Sequence, residues 1–385
     1  MSVKSTFKEK TKHLLAVNSF INAAVYTNLS KKTLADMRLL CEEAKYDDSI
    51  KDISWLRELR KDVEQGKRGF YTTDCNFSNS HIYGIWDSIF GQFGVDPIYT
   101  PSVEHGLILH DQIFNDIEDT ARAACVTFGQ FRKEIIKKHI KKPVFCVGPY
   151  IHYASSFYDS ERIESERKKN GKTLLVFPMH STNNSELSVE IDNYISYLKG
   201  KEKAFDTILI NTFWWNINDP LTHALESEGY RIVSAGFRDD VMFIRRLKTL
   251  IKMSDMVVGD SIGTHVGYCI NCGIPFRYEP LGSREVLKTE KENKDLDFRK
   301  KRIESIANAF NNSEHITDEQ IRICDYYWGN NQVKTYSELK RIVEFTKKVL
   351  AMSRGFSYSF EKTAEELLKL EEYKNDEVIR DAVVG

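Results

Sequence analysis

Between residues 173 and 276 the chain alternates short apolar runs with longer amphipathic ones, and that alternation leaves few folds open. The runs TLLVF (173–177), TILIN (207–211), YRIVS (230–234) and MVVG (256–259) are apolar almost throughout. Strands with no polar face are buried on both sides, as in a parallel sheet covered by helices. The stretches 185–198, 220–228 and 240–253 carry helical spacing, and another helix opens near Gly263. Four strand–helix units in succession predict a Rossmann-like α/β domain over residues 172–350.

The last unit is the most informative. VVGDSIGTHVGY (257–268) reads as a buried strand, a small-residue turn and a helix start, with a short apolar strand, GIPF (273–276), directly after. Such a turn offers backbone N–H groups and the positive end of a helix to an anion, at the edge where the loops leave a parallel sheet. Ser261, Ile262, Gly263 and Thr264 are therefore candidates for binding the phosphate of a nucleotide, with Asp260 and His265 as further contacts. A helix cap with no ligand is the alternative for Asp260 and Ser261. Gly267, one turn on, is expected to let the helix pack tightly against the sheet. His265, Cys269 and Cys272 share a helical face, but their spacing is unlike a zinc knuckle and no second CxxC exists. No metal and no cofactor is expected.

Two further loops carry chemistry. FPMHST (177–182) ends the first strand of the same domain, where His180, Ser181 and Thr182 are placed to bond phosphate or to cap the next helix. SVEHG (102–106) follows a strand candidate in the preceding region and sets a carboxylate, Glu104, beside an imidazole, His105, with Gly106 allowing a sharp turn. That pair is the equipment of general base catalysis, and equally of an ordinary loop hydrogen bond. Asp239 and Asp240 precede a helix and read first as caps, with acceptor or ribose binding as the sharper reading, and Arg238, Arg245 and Arg246 read first as a solvated face, with phosphate neutralisation as the alternative. Trp214 and Tyr150 are candidates for lining the cleft or for core packing.

The rest of the chain frames this domain. Residues 1–66 have helical periodicity at Leu14, Leu15, Phe20, Ile21 and Ala24, and again at Leu34, Met37, Leu39 and Leu40. Residues 67–158 shift to short strands, at 69–72, 97–100, 124–127 and 143–147, and predict a first, smaller Rossmann-like domain. The charged run 159–171 reads as the linker, and residues 351–385 as terminal helices. A net charge of −1 gives no bulk attraction to nucleic acid. Seven scattered cysteines, no 20-residue apolar run and no signal-peptide pattern suggest a cytoplasmic protein. Lys4, Lys8, Lys10, Lys12, Lys31 and Lys32 hint at peripheral contact with a membrane or an assembly partner.

Through EHG (104–106), FPMHS (177–181) and DSIGTH (260–265) the chain resembles GT-B glycosyltransferases of bacterial capsule and lipopolysaccharide O-antigen synthesis. The resemblance implies two Rossmann-like domains, with acceptor binding by the first and a nucleotide-activated sugar on the second. It implies a glycan or lipid-linked acceptor, metal-independent inverting transfer, and Glu104, steered by His105, as the base. A CDP-glycerol-type phosphotransferase, a nucleotide-sugar epimerase and a non-catalytic nucleotide- or glycan-binding scaffold are the other readings.

Overall fold

The computed structural model describes residues 18–29, 49–67, 82–113, 122–180, 185–287, 294–311 and 314–385, with isolated helical positions at 31, 35, 39 and 42. The chain is α/β, with two separate parallel sheets. The first holds β1 (Ser102–Val103), β2 (Cys125–Thr127) and β3 (Val144–Cys146), in that spatial order. The second holds β4 (Thr173–Phe177), β6 (Thr207–Asn211), β7 (Arg231–Val233), β8 (Met256–Gly259) and β9 (Phe276–Tyr278) in the order β7-β6-β4-β8-β9. Counted within its own domain that order is 3-2-1-4-5, the doubly wound arrangement in which strand order reverses beside the first strand.

Both faces of the second sheet are buried, as the unbroken apolar runs require. Successive side chains of a strand point to opposite faces. Leu174, Val176, Ile208, Ile210 and Val258 accordingly fall in one apolar cluster, and Leu175, Phe177, Leu209 and Val257 in another. The second cluster continues into the first sheet through Val103, Val126 and Phe145, so one core joins the two domains. The opposite face is covered from the N-terminal side of the chain: Leu56, Leu59 and Val63 of the helix Ser54–Glu64 pack with Leu174 and Val176.

Several local expectations need correction. Residues 159–171 are not an extended linker. They form the helix Ser160–Asn170, capped by Asp159, whose carboxylate accepts Arg162 N–H at 2.8 Å. The run has a single apolar residue, Ile163, and no Pro or Gly before Gly171 at its end, and Glu, Arg and Lys are good helix formers. Arg167 docks the helix on the second domain through Asp255 (2.5 Å) and the carbonyls of Lys252 and Ser254. The expected strand 97–100 is a 3-10 turn, Pro97–Tyr99, because Asp96 caps it and Pro97 occupies its first position. Within the expected helix 185–198 the chain first makes β5 (Ser185–Ser188), paired antiparallel with β10 (Arg284–Leu287), and the helix begins at Ile191. The strand expected at 69–72 and the periodic positions at 14, 15, 34, 37 and 40 lie outside the described residues.

The boundary expected at residue 350 does not follow the packing. The helix Tyr336–Met352 returns to the first domain, with Phe345 edge-on to Phe145 at 6.4 Å and Tyr336 5.0 Å from Phe93. The terminal helix Glu377–Val384 is latched there too, by the buried Lys133, 2.6 Å from Asp381. No described helix is long and apolar enough to cross a membrane.

Candidate functional site

The crevice of a doubly wound sheet opens where strand order reverses, here between the carboxyl ends of β4 and β8. The two loops the sequence singled out leave the sheet at that point, 178–180 from β4 and 260–263 from β8. They are tied together: Asp260 Oδ1 accepts Met179 N–H at 2.5 Å. Asp260 is buried beside the hydroxyls of Ser283 and Tyr194, and burial raises its pKa above the usual carboxylate range. It braces the crevice from behind.

Gly263 caps the helix Thr264–Asn271 in extended conformation, so the helix start faces the crevice. Ser261, Ile262, Gly263 and Thr264 are half-buried at its mouth. The Thr264 hydroxyl accepts Leu107 N–H, from the first domain, at 3.0 Å. A Cβ on Gly106 would sit 3.4 Å from the same hydroxyl. The EHG loop and the DSIGTH turn, 157 residues apart for that bonded pair, therefore meet.

His265 is half-buried at the turn, near His180. Its ring stacks on Phe177 (5.1 Å, 8° between planes) and meets Phe276 edge-on at 5.3 Å. Nε2 is buried with no hydrogen-bond partner among the described residues. Burial, with the nearby His180, pushes its pKa from 6.5 down to about 4, so the ring is neutral near pH 7. A histidine that is neutral when folded but titrates near 6.5 when unfolded adds stability that is whole above that pH. The contribution is lost as pH falls from about 6.5 to about 4, and amounts to on the order of 3 kcal/mol. Urea unfolding at pH 7 and pH 4.5 checks this: His265→Phe, which keeps the ring stack, is expected to flatten the fall. An unchanged pH slope in that variant would show that other groups carry it.

Of the remaining β4-loop candidates, His180 is exposed and lies against Phe213, with ring centroids 4.4 Å apart. Ser181 and Thr182 lie outside the described residues. Beside this loop, toward β6, is a cavity of about 200 Å³ lined by Met179, His180, Thr212, Phe213, Asn216, Asp219 and aliphatic side chains.

Glu104 occupies a different environment from its neighbour. It is fully buried, Arg132 Nη2 and Nε donate to its Oε1 at 2.6 and 3.0 Å, and Thr127 Oγ1 donates to its Oε2 at 2.5 Å. Arg132, itself fully buried, also donates to the carbonyls of His110 and Gln112. Such a carboxylate has both oxygens committed and no open path to a substrate. His105 is half-buried at the loop surface.

Other candidates are structural. Tyr150 is fully buried with its ring 4.2 Å from Phe128. Trp214 is a core residue edge-on to Phe237 at 4.6 Å, while Trp215 is covered by the Arg60 guanidinium at 3.6 Å. Asp239 is buried with Arg238 Nε at 3.2 Å. Asp240 is not the cap of the helix Phe243–Lys252, which starts after Met242 with no side-chain cap: its Oδ1 accepts Met242 N–H at 2.8 Å in the turn before the helix, and its other oxygen pairs with Arg246 at 2.6 Å, both side chains fully buried. Arg246 is therefore no solvated residue: the bend at 235–242 turns it inward, onto Ala235 O and between Trp55 and Phe157. Cys269 is likewise in the core.

The residues that sequence reasoning missed are those that seat the two domains. Trp328 is fully buried and donates from Nε1 to Thr264 O at 3.2 Å. It fills the space over Gly267, where a Cβ would come within 2.2 Å of its ring. Gly267 thus serves close packing as expected, but against Trp328 instead of the sheet. The next residue, Gly329 (φ 65°), lies so close to Gly129 that a Cβ there would reach 2.7 Å from Gly329 N. The aromatic cluster YYWG (326–329) was the one visible signal.

No family model and no curated protein matches the chain in sequence. Among solved structures it is similar to Arabidopsis thaliana UGT89C1, with 11% identity and a TM-score of 0.29 over 66% of this chain and 60% of that one. It thus spans less than two thirds of that protein's length. Phytolacca americana UGT2, complexed with UDP-2fluoro-glucose and pterostilbene, is similar at 10% identity and a TM-score of 0.25, over 81% of this chain and 73% of that one. Likenesses this low leave the family undecided.

Proposed function

We propose that the protein is a glycosyltransferase moving a sugar from a nucleotide-activated donor to a glycan or lipid-linked acceptor. Its setting in this reading is bacterial surface-polysaccharide synthesis, at the cytoplasmic face of the membrane. The observation that carries the proposal is the Leu107–Thr264 hydrogen bond, which brings the loop edges of two parallel sheets together at the crevice of the second. Group transfer between two bulky substrates needs such a cleft, with one partner on each wall.

The donor phosphate lies on the helix start at 261–264, where N–H groups and the helix dipole stabilise the charge on the leaving nucleotide, and His180 adds a donor. With Glu104 held by Arg132 and Thr127, the base on the acceptor side is His105, and the Glu104–Arg132 pair positions its loop. His105 takes the acceptor hydroxyl proton as that oxygen bonds to the anomeric carbon. The anomeric carbon–oxygen bond breaks with its electron pair going to the nucleotide phosphate, and in-line attack inverts the configuration.

The donor class is tested by thermal shift with CMP, CDP, UDP, GDP and dTDP. A nucleotide at a hundred times its Kd is expected to stabilise the protein by about 2.7 kcal/mol. With the matching sugar donor, His105→Ala is expected to lower kcat by roughly 10²- to 10⁴-fold and to leave the nucleotide shift intact. Full transfer by that variant removes His105 as the base, and no shift with any nucleotide removes the donor reading. Product analysis separates a glycosidic bond from a phosphodiester or an epimerised sugar.

A further inference from the structure

The cavity between the β4 and β6 loops belongs to neither the phosphate turn nor the acceptor loop, and it holds an unexplained group. Thr212 lines it at 4% exposure, with an Oγ1 that has no hydrogen-bond partner among the described residues. A buried hydroxyl without a partner costs stability, and one facing a cavity is explained by a ligand that completes it. The polar lining comes largely from one segment, the stretch after β6: Thr212, Asn216, Asp219, to which Asn216 Nδ2 donates, and Thr222, whose hydroxyl donates to Asn216 O at 2.9 Å. The rest of the lining is mainly aliphatic, with the neighbouring rings of His180 and Phe213 among it.

We propose that this cavity holds the nucleobase of the donor; the inference rests on the glycosyltransferase reading and adds the place of the base. A nucleobase has two apolar faces and one hydrogen-bonding edge, which matches the wall chemistry. A sugar ring carries hydroxyls around its whole rim, and several would be stranded against aliphatic side chains. Size agrees. The volume is about 200 Å³, below the ~300–1,000 Å³ of pockets for drug-sized ligands, so it admits one ring and not a whole nucleotide sugar. With the base here, the phosphate runs along the β4 loop past His180 toward the turn at 261–264.

The test is saturation-transfer NMR and titration with AMP, CMP, GMP, TMP and UMP, on the unmodified protein, Thr212→Val and Leu221→Trp. At least one monophosphate is expected to bind, with the strongest transfer at its base protons. Thr212→Val keeps the shape and removes the hydroxyl, so it is expected to weaken that nucleotide roughly three- to tenfold while the unliganded protein melts no lower. Leu221→Trp fills the cavity and is expected to abolish binding. If a monophosphate binds and both variants bind it unchanged, or if transfer is strongest at the ribose, the base lies elsewhere while the donor reading stands. If none binds, both fall.

Discussion

Arg132→Met is expected to destabilise the protein by about 3–5 kcal/mol, measured by urea denaturation. The magnitude comes from what is lost: both Arg132 donors to Glu104 Oε1 go, while the carboxylate stays at zero exposure inside the first domain with Thr127 on Oε2. The carbonyls of His110 and Gln112 would lose their Arg132 donor as well. Glu104→Gln with Arg132→Met is expected to recover most of the loss, because a buried pair replaced by neutral groups is often nearly neutral in stability. The comparison separates positioning from chemistry. A positioning Glu104 gives a double variant that is folded and slowed mainly through displacement of His105, whereas a base gives one that is folded and inert at every pH. A loss under 1 kcal/mol for Arg132→Met would show that the loop relaxes and hydrates the carboxylate, and the positioning role would fall.

Gly267→Ala is expected to be nearly as severe, at about 3 kcal/mol, though it adds a single methyl. That methyl would lie 2.2 Å from Trp328 Cγ and Cδ1, and the indole has no room to withdraw. The next residue, Gly329 at φ 65°, has its backbone closely packed against Phe128, Gly129 and Gly148 of the first domain. The steric load therefore passes to the seam between the domains and to Thr264, whose carbonyl Trp328 bonds and whose hydroxyl meets Leu107. Loss of nucleotide binding is expected to accompany the loss of stability. Combining Gly267→Ala with Trp328→Leu separates causes: non-additive recovery places the damage at this contact. A strictly additive double variant would place it in the helix itself.

The strands of the second parallel sheet were readable in the sequence to within a few residues. They are unbroken apolar runs, and burial on both faces leaves one sheet type for such runs to form. The turn after β8 was readable as a turn for a related reason: DSIG between a buried strand and a helix has few places to be. Misreadings came where local composition did not decide. The charged helix Ser160–Asn170 has no apolar stripe: a single residue, Ile163, packs on the core, and Arg167 and the Asp159 cap hold the rest. Ser185–Ser188 forms a strand because Arg284–Leu287, about a hundred residues away, is there to pair with it.

The site divides along the same line. Spacing along the chain determined which loops sit at the carboxyl edge of the second sheet, because strand direction and loop position follow from local pattern. Only the tertiary structure decided which side chains in those loops are available. Glu104 and His105 are adjacent in sequence, yet one is sealed against Arg132 and the other is half-buried at the loop surface. Thr264 meets Leu107 of the first domain, whereas the next residue, His265, packs its ring between Phe177 and Phe276. Burial and pairing are set by partners distant in sequence, through packing that no window of neighbouring residues encodes.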